Sequence, residues 1–191
     1  MSETIHYRHT VMSSPIGQIL IGARNDAINC IWFTDQPGEP RPEIGGLVAP
    51  SGILEEAVRQ LDQYFGGDTA EFELPLWIEG TPWQERVWKE LARVAYGETI
   101  TYAQLAERVE SLKHARAVGT AVARNPLPIL IGCHRVLPAG SDGVHGIGNF
   151  SSGADRKAYL LNLERESAAG HERRVRAALQ AAAEDTEWLI F

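Results

Sequence analysis

Two helix-start signals constrain the fold of this chain more than any other feature of its sequence. Thr81-Pro-Trp-Gln84 combines an N-cap threonine, a proline at the first helical position and a capping-box glutamine. Thr101-Tyr-Ala-Gln104 repeats the capping box and predicts a short helix to about Val109. A further helix is predicted from about Leu112 until Asn125-Pro126 ends it. The middle of the chain is therefore expected to form a helical domain that begins at Thr81.

The last two of these helices are short and joined by a tight turn, which is the pattern of a helix-turn-helix. In the second of them, Val118 and Val122 are spaced to face the core, whereas Arg116 and Thr120 are spaced to face outward. Such an outer surface would suit a DNA groove. An ordinary packed pair of helices fits the same spacing, and the pattern alone leaves that alternative open.

The distribution of charge decides which part of the chain can face a polyanion. The 191 residues carry a formal net charge of −7, of which residues 1–80 contribute −8 while residues 81–166 carry +2. Phosphate binding depends on Lys and Arg. The second region is therefore compatible with nucleic acid, and the first is not.

The first 80 residues predict a small α/β unit. Short apolar runs alternate with turn residues between Val11 and Phe33, which indicates a β-hairpin or meander with Cys30 inside one strand. Apolar residues then recur at helical spacing from Ile53 to Phe65, until two glycines end the pattern. We therefore predict an α/β domain over 1–80, a helical domain over 81–166 and a helical extension over 167–191.

Several classes of protein are disfavoured by what the sequence lacks. No basic start precedes an apolar run, and no stretch approaches the roughly 20 apolar residues that cross a bilayer, so we expect a cytoplasmic protein without membrane contact. Only two cysteines are present, Cys30 and Cys133, and they are far apart in the chain. This spacing supports neither a disulfide framework nor a metal site, and we expect no metal.

The dipeptide Cys133-His134 is the candidate for covalent chemistry. A cysteine attacks as the thiolate, so it needs a partner that takes its proton. Leu127 to Val136 is predicted to be a buried strand, in which neighbours point to opposite faces, so a working pair requires a break near Gly132. For the dipeptide by itself, a buried structural cysteine is the stronger interpretation.

The order of the motifs changes that balance. The helix-turn-helix is followed by Asn125-Pro-Leu-Pro-Ile-Leu-Ile-Gly-Cys-His-Arg-Val136, a glycine-rich loop and a predicted helix from Asp155 to Glu166. Over about residues 10–166 this order resembles the O6-alkylguanine-DNA alkyltransferases, whose signature reads Pro-Cys-His-Arg-Val. The resemblance implies a ribonuclease H-like α/β domain followed by a winged-helix, helix-turn-helix DNA-binding domain.

The activity implied by the resemblance is DNA repair in a single irreversible turnover. An alkyl group would move from O6-alkylguanine, or from O4-alkylthymine, in duplex DNA to Cys133. No cofactor is implied, because the lesion itself is the alkyl donor. The partner would be duplex DNA containing the lesion, and the protein would act as a monomer.

The resemblance also implies roles for individual residues. Cys133 would accept the alkyl group, His134 would take the thiol proton through a water, and Glu164 would orient His134. Tyr102 would donate to N3 of the flipped guanine, and Asn125 would tie down the backbone before the active site.

The remaining implied contacts involve the substrate base and the DNA. Arg116 would replace the extruded base in the duplex, because the reacting O6 otherwise lies inside the stack. Further substrate contacts are expected from the backbone carbonyls of Cys133 and Val136, the backbone N–H of Ser151 and the lid residue Phe150. The side chains expected to contact DNA are those of Arg116, Thr120, Arg124 and Arg135.

Three departures from the family pattern fall close to the active site. Gly132 stands where the family has proline, which predicts a looser approach to the thiol. Phe150 and Ser152 replace the Tyr and the first Gly of the usual Tyr-Ser-Gly-Gly. The stretch from Cys133 to Phe150 is longer than usual and contains His145, which is a second base or an exposed loop histidine.

Three other functions compete with alkyl transfer. An alkyltransferase-like protein would bind the lesion without accepting the alkyl group, but such proteins usually lack the acceptor cysteine. A cysteine hydrolase would use the same cysteine, histidine and glutamate but would leave the helix-turn-helix unexplained. A nucleotide-binding interpretation of Gly146-Ile-Gly-Asn-Phe-Ser151 lacks the third glycine and the βαβ context.

Overall fold

The computed structural model describes residues 5–38, 44–168 and 170. The extension predicted over 167–191 lies outside these residues, apart from 167, 168 and 170. None of the helices within the described ranges is long and apolar enough to cross a membrane.

The N-terminal strands form one sheet in the order β3-β2-β1-β4. Strands β1 (Tyr7–Ser14), β2 (Gly17–Arg24) and β3 (Ala27–Phe33) pair antiparallel in chain order, as a meander does. The two-residue strand β4 (Gly46–Leu47) joins β1 in parallel. The meander predicted from the alternation of apolar runs and turns is confirmed.

Helix α1 (Ile53–Gly66) packs against strands β1, β2 and β3. Its buried face carries Leu54, Ala57, Leu61 and Tyr64, which follow the predicted helical spacing. Burying each leucine contributes roughly 1.5–3 kcal/mol. The helix ends at Gly67, whose φ of 75° is left-handed and which glycine adopts without steric cost.

The helical domain starts where the sequence indicates. Helix α2 (Pro82–Leu91) and helix α3 (Tyr102–Val109) each begin with a complete capping box, in which a threonine and a glutamine satisfy each other's backbone N–H groups. Helix α4 (Ala115–Ala123) packs against both. Trp88 Nε1 donates to Ala121 O at 2.8 Å and ties α2 to α4.

Helices α3 and α4 form the predicted helix-turn-helix. The turn between them includes a short 3₁₀ segment, Leu112–His114. Val118 and Val122 are buried, while Arg116 and Thr120 are exposed, as their spacing predicts. The outer face of α4 is therefore free of large apolar groups.

A short parallel pairing brings the start of α3 to the residues that follow Cys133. Strand β5 (Ile100–Thr101) pairs with strand β6 (Val136–Leu137), with Ile100 opposite Val136. The last described helix, α5, covers residues 154–168. Its buried Lys157 donates through Nζ to Val136 O of β6 at 2.7 Å.

The strand predicted from Leu127 to Val136 is wrong. Residues 126–132 form turns, Cys133–Arg135 is a 3₁₀ turn, and extended pairing starts only at Val136. Ile129 has a φ of 75°, a left-handed conformation that interrupts any strand. Its side chain is fully buried. An apolar run indicates only that a segment is buried, and a packed turn is buried just as a core strand is.

The two parts of the chain are joined by polar contacts as well as by apolar packing. Ile31 N, in β3, donates to Pro126 O at 2.9 Å. Arg156 of α5 donates through Nε to Ile16 O at 2.8 Å and through Nη2 to both Asp35 oxygens at 2.7 Å. These bonds hold the meander against the turn before Cys133 and against the start of α5.

Candidate active site

The chain forms a turn at Cys133–Arg135 instead of a strand, in which the side chains of Cys133 and His134 would point to opposite faces. Gly132 has φ −66° and ψ 59°, and the chain then enters a 3₁₀ turn in which neighbours no longer point to opposite faces. Cys133 N donates to Ile131 O at 2.7 Å, and Arg135 N donates to Gly132 O at 3.0 Å. The side chains of Cys133 and His134 are both buried.

His134 is oriented by Glu164 of α5. The distance from His134 Nε2 to Glu164 Oε1 is 2.7 Å, so Nε2 carries the hydrogen and Nδ1 keeps its lone pair. Nδ1 is buried and makes no hydrogen bond with any side chain or backbone group of the described residues. This nitrogen is therefore the one that can accept a proton.

The carboxylate of Glu164 is buried but well compensated. Arg135 donates to both of its oxygens at 2.9 Å, and Gly97 N donates to Oε2 at 3.1 Å. Burial alone would raise the pKa of this carboxyl, but the hydrogen bonds and charges of His134 and Arg135 hold the pKa well below its ordinary value. Glu164 is an ion throughout the physiological pH range.

His134 is neutral at rest. Burial, the largest effect, lowers the pKa of the imidazole below its ordinary value, although the hydrogen bond and charge of Glu164 act in the opposite direction. Arg135 and Lys157 add to the lowering. A base must be unprotonated before it acts, so this state is the useful one.

Cys133 is a thiol at rest. Burial raises its pKa to about 11, while a hydrogen bond from Asn125 and the charge of Lys157 act against the rise. At pH 7, ionising such a thiol without help costs about 5 kcal/mol. A reaction at this sulfur therefore requires a base in the site.

Asn125 ties together the two ends of the turn that precedes Cys133. Its Nδ2 donates to Ile131 O at 2.8 Å, and its Oδ1 accepts from Leu127 N at 3.0 Å. These bonds oppose the strain of the left-handed Ile129 between them. Asn125 thus has the backbone-fixing contacts that the resemblance implied.

Tyr102 lies at the first turn of α3, brought near Cys133 by the β5–β6 pairing. Its half-buried ring packs over Gly119 of α4, where a Cβ would lie 3.7 Å from the ring. Burial, followed by the nearby Cys133, raises the pKa of the Tyr102 hydroxyl. The hydroxyl therefore remains a hydrogen-bond donor at neutral pH.

The segment predicted as a lid turns back over the start of α5. Phe150 is half-buried against the core, and Ser151 is exposed. Ser152, one of the departures, is buried, and its carbonyl accepts from Arg156 Nη1 at 2.7 Å. His145, in the longer loop, is exposed and its Nδ1 lies 2.9 Å from Asp142. Nothing in these contacts makes His145 a second base.

Glycine at 132 makes room for Arg135. A Cβ at this position would lie 2.7 Å from both Cδ and Nε of Arg135, which is too close for real atoms. The absence of a side chain at residue 132 therefore leaves the space in which Arg135 packs.

The predicted DNA-contacting residues divide into two groups. Arg116, Thr120 and Arg124 are exposed on or directly after α4. The prediction that Arg135 contacts DNA is wrong, because its side chain is buried and its guanidinium binds Glu164 and, at 2.6 Å, Val94 O. The buried carboxylate requires a cation, and Arg135 provides it.

Sequence reasoning missed Lys157, which is fully buried. Its Nζ donates to Val136 O at 2.7 Å, and burial lowers its pKa to about 8. A signal was present, because Lys157 and Glu164 share one face of α5 with Leu160 and Leu161, all four buried. Charged residues at i and i+7 of an apolar stripe indicate buried ionic chemistry.

Tyr64 was also missed, although its place on the apolar face of α1 was predicted. Its hydroxyl donates to Glu164 Oε1 at 2.8 Å. A tyrosine in an apolar stripe gives no such signal. Within the described part of the chain, no three His, Cys, Asp or Glu side chains are grouped so that they could hold a metal ion.

Fold and site together define a two-domain protein in which a helix-turn-helix stands beside a buried cysteine, histidine and glutamate. Residues 7–78 match the model of the 6-O-methylguanine DNA methyltransferase, ribonuclease-like domain, and residues 82–166 match that of the DNA binding domain of the same proteins. The chain belongs to the 6-O-methylguanine DNA methyltransferase family. The resemblance found in the sequence, and the fold class that it implied, are confirmed.

Relatives match over nearly their whole length. A methylated-DNA–protein-cysteine methyltransferase of Mycobacterium leprae is 39% identical over 161 residues, which cover 84% of this chain and 93% of the relative. The constitutive one of Bacillus subtilis is 38% identical over 163 residues, covering 83% and 96%.

Solved structures agree with these matches. The crystal structure of Mycobacterium tuberculosis O6-methylguanine methyltransferase aligns with a TM-score of 0.75 at 34% identity, covering 85% of this chain and 94% of that one. A crystal structure of the M. tuberculosis protein in complex with DNA aligns with a TM-score of 0.71 at 32% identity, covering 84% and 94%.

Proposed function

We propose that this protein repairs DNA by moving an alkyl group from O6 of guanine to Sγ of Cys133, once per molecule. The observation that carries the proposal is a buried thiol next in sequence to a buried, neutral histidine that an ionised glutamate holds. The names of the relatives, methylated-DNA–protein-cysteine methyltransferases, describe the same chemistry.

In the proposed reaction, Sγ attacks the alkyl carbon, the S–C bond forms and the C–O6 bond breaks with its electron pair going to the purine. The thiol proton passes to His134 Nδ1 through a water, and Glu164 stabilises the resulting imidazolium. Tyr102 donates toward N3 of the departing guanine. The thioether product has no leaving group that water displaces at neutral pH, so each protein molecule acts once.

DNA is the proposed partner, and α4 is the proposed contact surface. Arg116 would fill the space that the flipped guanine leaves, while Thr120 and Arg124 would meet the backbone. The exposure of all three side chains supports this assignment. Binding would then weaken as salt rises.

The proposed guanine contacts are those that the family resemblance implies. Val136 O and Cys133 O would accept from the exocyclic amine, Ser151 N–H would donate to O6, and Phe150 would cover the base. The carbonyl of Val136 already accepts from Lys157, but a carbonyl oxygen has a second lone pair.

We further propose that the protein acts as a monomer with a domain boundary near residue 80. The thiol, its base and the helix-turn-helix all come from one chain. The two family matches end and begin at residues 78 and 82, which supports the boundary.

The alternative is a protein that binds alkylguanine without accepting the alkyl group. Such a protein needs neither an acceptor thiol nor a base, and this chain has both Cys133 and His134. That observation favours transfer.

Intact mass and peptide mapping after incubation with a duplex carrying one O6-methylguanine test the proposal. We expect one added methyl group, on Cys133 alone, in an amount equal to the lesion, and none in Cys133→Ser. Tight binding to the lesion with no change in mass would instead identify a recognition protein.

A further inference from the structure

The N-terminal domain reaches the proposed relay through one hydroxyl. Tyr64 lies on α1, 100 residues before Glu164 in the chain, and its hydroxyl donates to Glu164 Oε1 at 2.8 Å. His134 Nε2 lies 2.7 Å from the same oxygen. Both groups therefore share one acceptor atom.

Among the described residues, five donors meet the carboxylate of Glu164. Oε1 accepts from Tyr64, His134 and Arg135, and Oε2 accepts from Arg135 and Gly97. An ionised carboxylate offers about four lone-pair sites. Each added donor draws electron density away from the bond to His134, so the number of donors sets how strongly Glu164 attracts a proton on the imidazole.

Tyr64 is well placed to be a permanent donor. Its side chain is fully buried, and its ring is fixed by edge contacts with Phe65 and Tyr96 and by a tilted contact with Phe72. Burial and the neighbouring Glu164 raise the pKa of its hydroxyl well above the ordinary value. The hydroxyl therefore keeps its proton at every pH at which the protein would work.

The position of α1 against the site is fixed independently of this bond. Ile31 N donates to Pro126 O, and Arg156 binds Ile16 O and Asp35. Tyr64 is thus presented to Glu164 by a domain contact that does not depend on its own hydroxyl.

We propose that Tyr64 is a positioning residue for the transfer reaction, which holds Glu164 Oε1 in place and limits its pull on His134 so that the imidazole stays neutral and able to accept the thiol proton. Only the last step of this inference, the acceptance of the thiol proton by His134, rests on the proposed function. The charged and titratable groups around the His134–Glu164 pair are Lys157 of α5, Cys133 and Arg135 of the turn, Tyr64 of α1 and Tyr96 after α2.

Tyr64→Phe removes one oxygen and keeps the ring contacts. Glu164 then attracts the His134 proton more strongly, so the pKa of His134 rises and the imidazole becomes protonated at higher pH. The expected result is an acid limb of the rate–pH profile for methyl transfer that moves upward by about half a pH unit or more. Above this limb the rate should be severalfold lower, because Glu164 Oε1 is no longer held in place by the Tyr64 hydroxyl.

The matched control is Tyr96→Phe, which removes a hydroxyl from the same aromatic cluster without removing a donor to Glu164. Its acid limb should coincide with that of the unaltered protein. A lower rate for Tyr64→Phe with an unmoved limb would make Tyr64 merely structural and overturn the proposal. An equal shift in Tyr96→Phe would overturn it as well.

Titration of the His134 ring by nitrogen-15 NMR, with the signal assigned from His134→Gln, separates this inference from the proposed function. If the unaltered protein transfers no methyl group, the proposed function fails. The comparison of His134 midpoints in the unaltered protein and Tyr64→Phe still tests Tyr64, and equal midpoints would overturn its role.

Discussion

The two domains of this protein bury different kinds of side chain. The interior of the N-terminal domain is apolar, with the uncharged Thr10, Asn29 and Gln60 as its buried polar residues among those described. The interior of the helical domain contains the ionisable groups of His134, Arg135, Lys157 and Glu164. Burying ions is costly unless they are paired. The second interior is therefore built for chemistry at the expense of stability, and the first is not.

One cysteine lies in each of these two interiors, so the pair shows how each interior affects a buried thiol. Burial raises the pKa of Cys30 in β3 to about 12. Burial also raises the pKa of Cys133, to about 11, and here Asn125 and Lys157 oppose the effect of burial. A buried thiol is thus protonated at neutral pH, and its reactivity depends on the polar groups gathered around it.

The largest expected effect comes from removing the base. His134→Gln should lower the rate of methyl transfer to Cys133 by about 10²- to 10⁴-fold, because no base in the site then takes the thiol proton. Single-turnover assays on a methylated duplex measure this rate. A loss below threefold would show that His134 is not the base for Cys133.

The exposed surfaces of the two domains should differ in how much they contribute to repair of a duplex. Arg116→Ala should slow repair of a methylated duplex by about 10- to 100-fold, because base flipping loses the group that fills the gap, while transfer from a free alkylated guanine base changes little. Arg59→Ala, which removes an exposed arginine from the acidic domain, is the control and should leave both rates unchanged. Equal losses on the two substrates would contradict the role of Arg116 in base flipping.

The buried ion Lys157 should have opposite effects on activity and stability. Lys157→Met removes a charge that favours the thiolate, so transfer at pH 7 should fall severalfold. Since burial lowers the pKa of Lys157 from 10.5 to about 8, the unfolded chain holds a proton that the folded chain lacks between these values. The free energy of unfolding of the unaltered protein should therefore rise as the pH increases through this window. Compared with that of the Met variant, the rise should be about 1–3 kcal/mol.

Urea unfolding of both proteins at pH 7 and pH 10 checks the sign. If the difference in unfolding free energy between the two proteins is the same at both pH values, burying the charge of Lys157 costs nothing in the folded state.

The smallest expected effect concerns Cys30. Cys30→Ala should leave methyl transfer within about twofold of the unaltered protein and reduce stability modestly, because a small apolar group is lost from the core. The same mass measurement that detects methylated Cys133 checks this variant. Loss of transfer with an intact fold would end the contrast between the two cysteines.

Much of the fold could be predicted because its signals are local. Capping boxes at Thr81 and Thr101 lie within one helical turn, so the residues that start each helix are adjacent in sequence. The strand predicted before Cys133 failed because an apolar run reports only burial, whereas the left-handed Ile129 and the bonds of Asn125 decide the path of the backbone. Arg135 was misplaced because a charged side chain is exposed by default, and its buried partner Glu164 lies 29 residues later.

The sequence by itself determined the helix starts, the outer face of the helix-turn-helix and the order of cysteine, histidine and arginine, because each depends on residues within a few positions of one another. Only the tertiary structure decided which groups surround the thiol. Tyr64, Gly97, His134 and Arg135 meet at Glu164 from distant segments of the chain. Their convergence is a product of packing between α1, the 3₁₀ turn and α5, and burial and hydrogen bonding at that junction together set the protonation of His134 and Glu164.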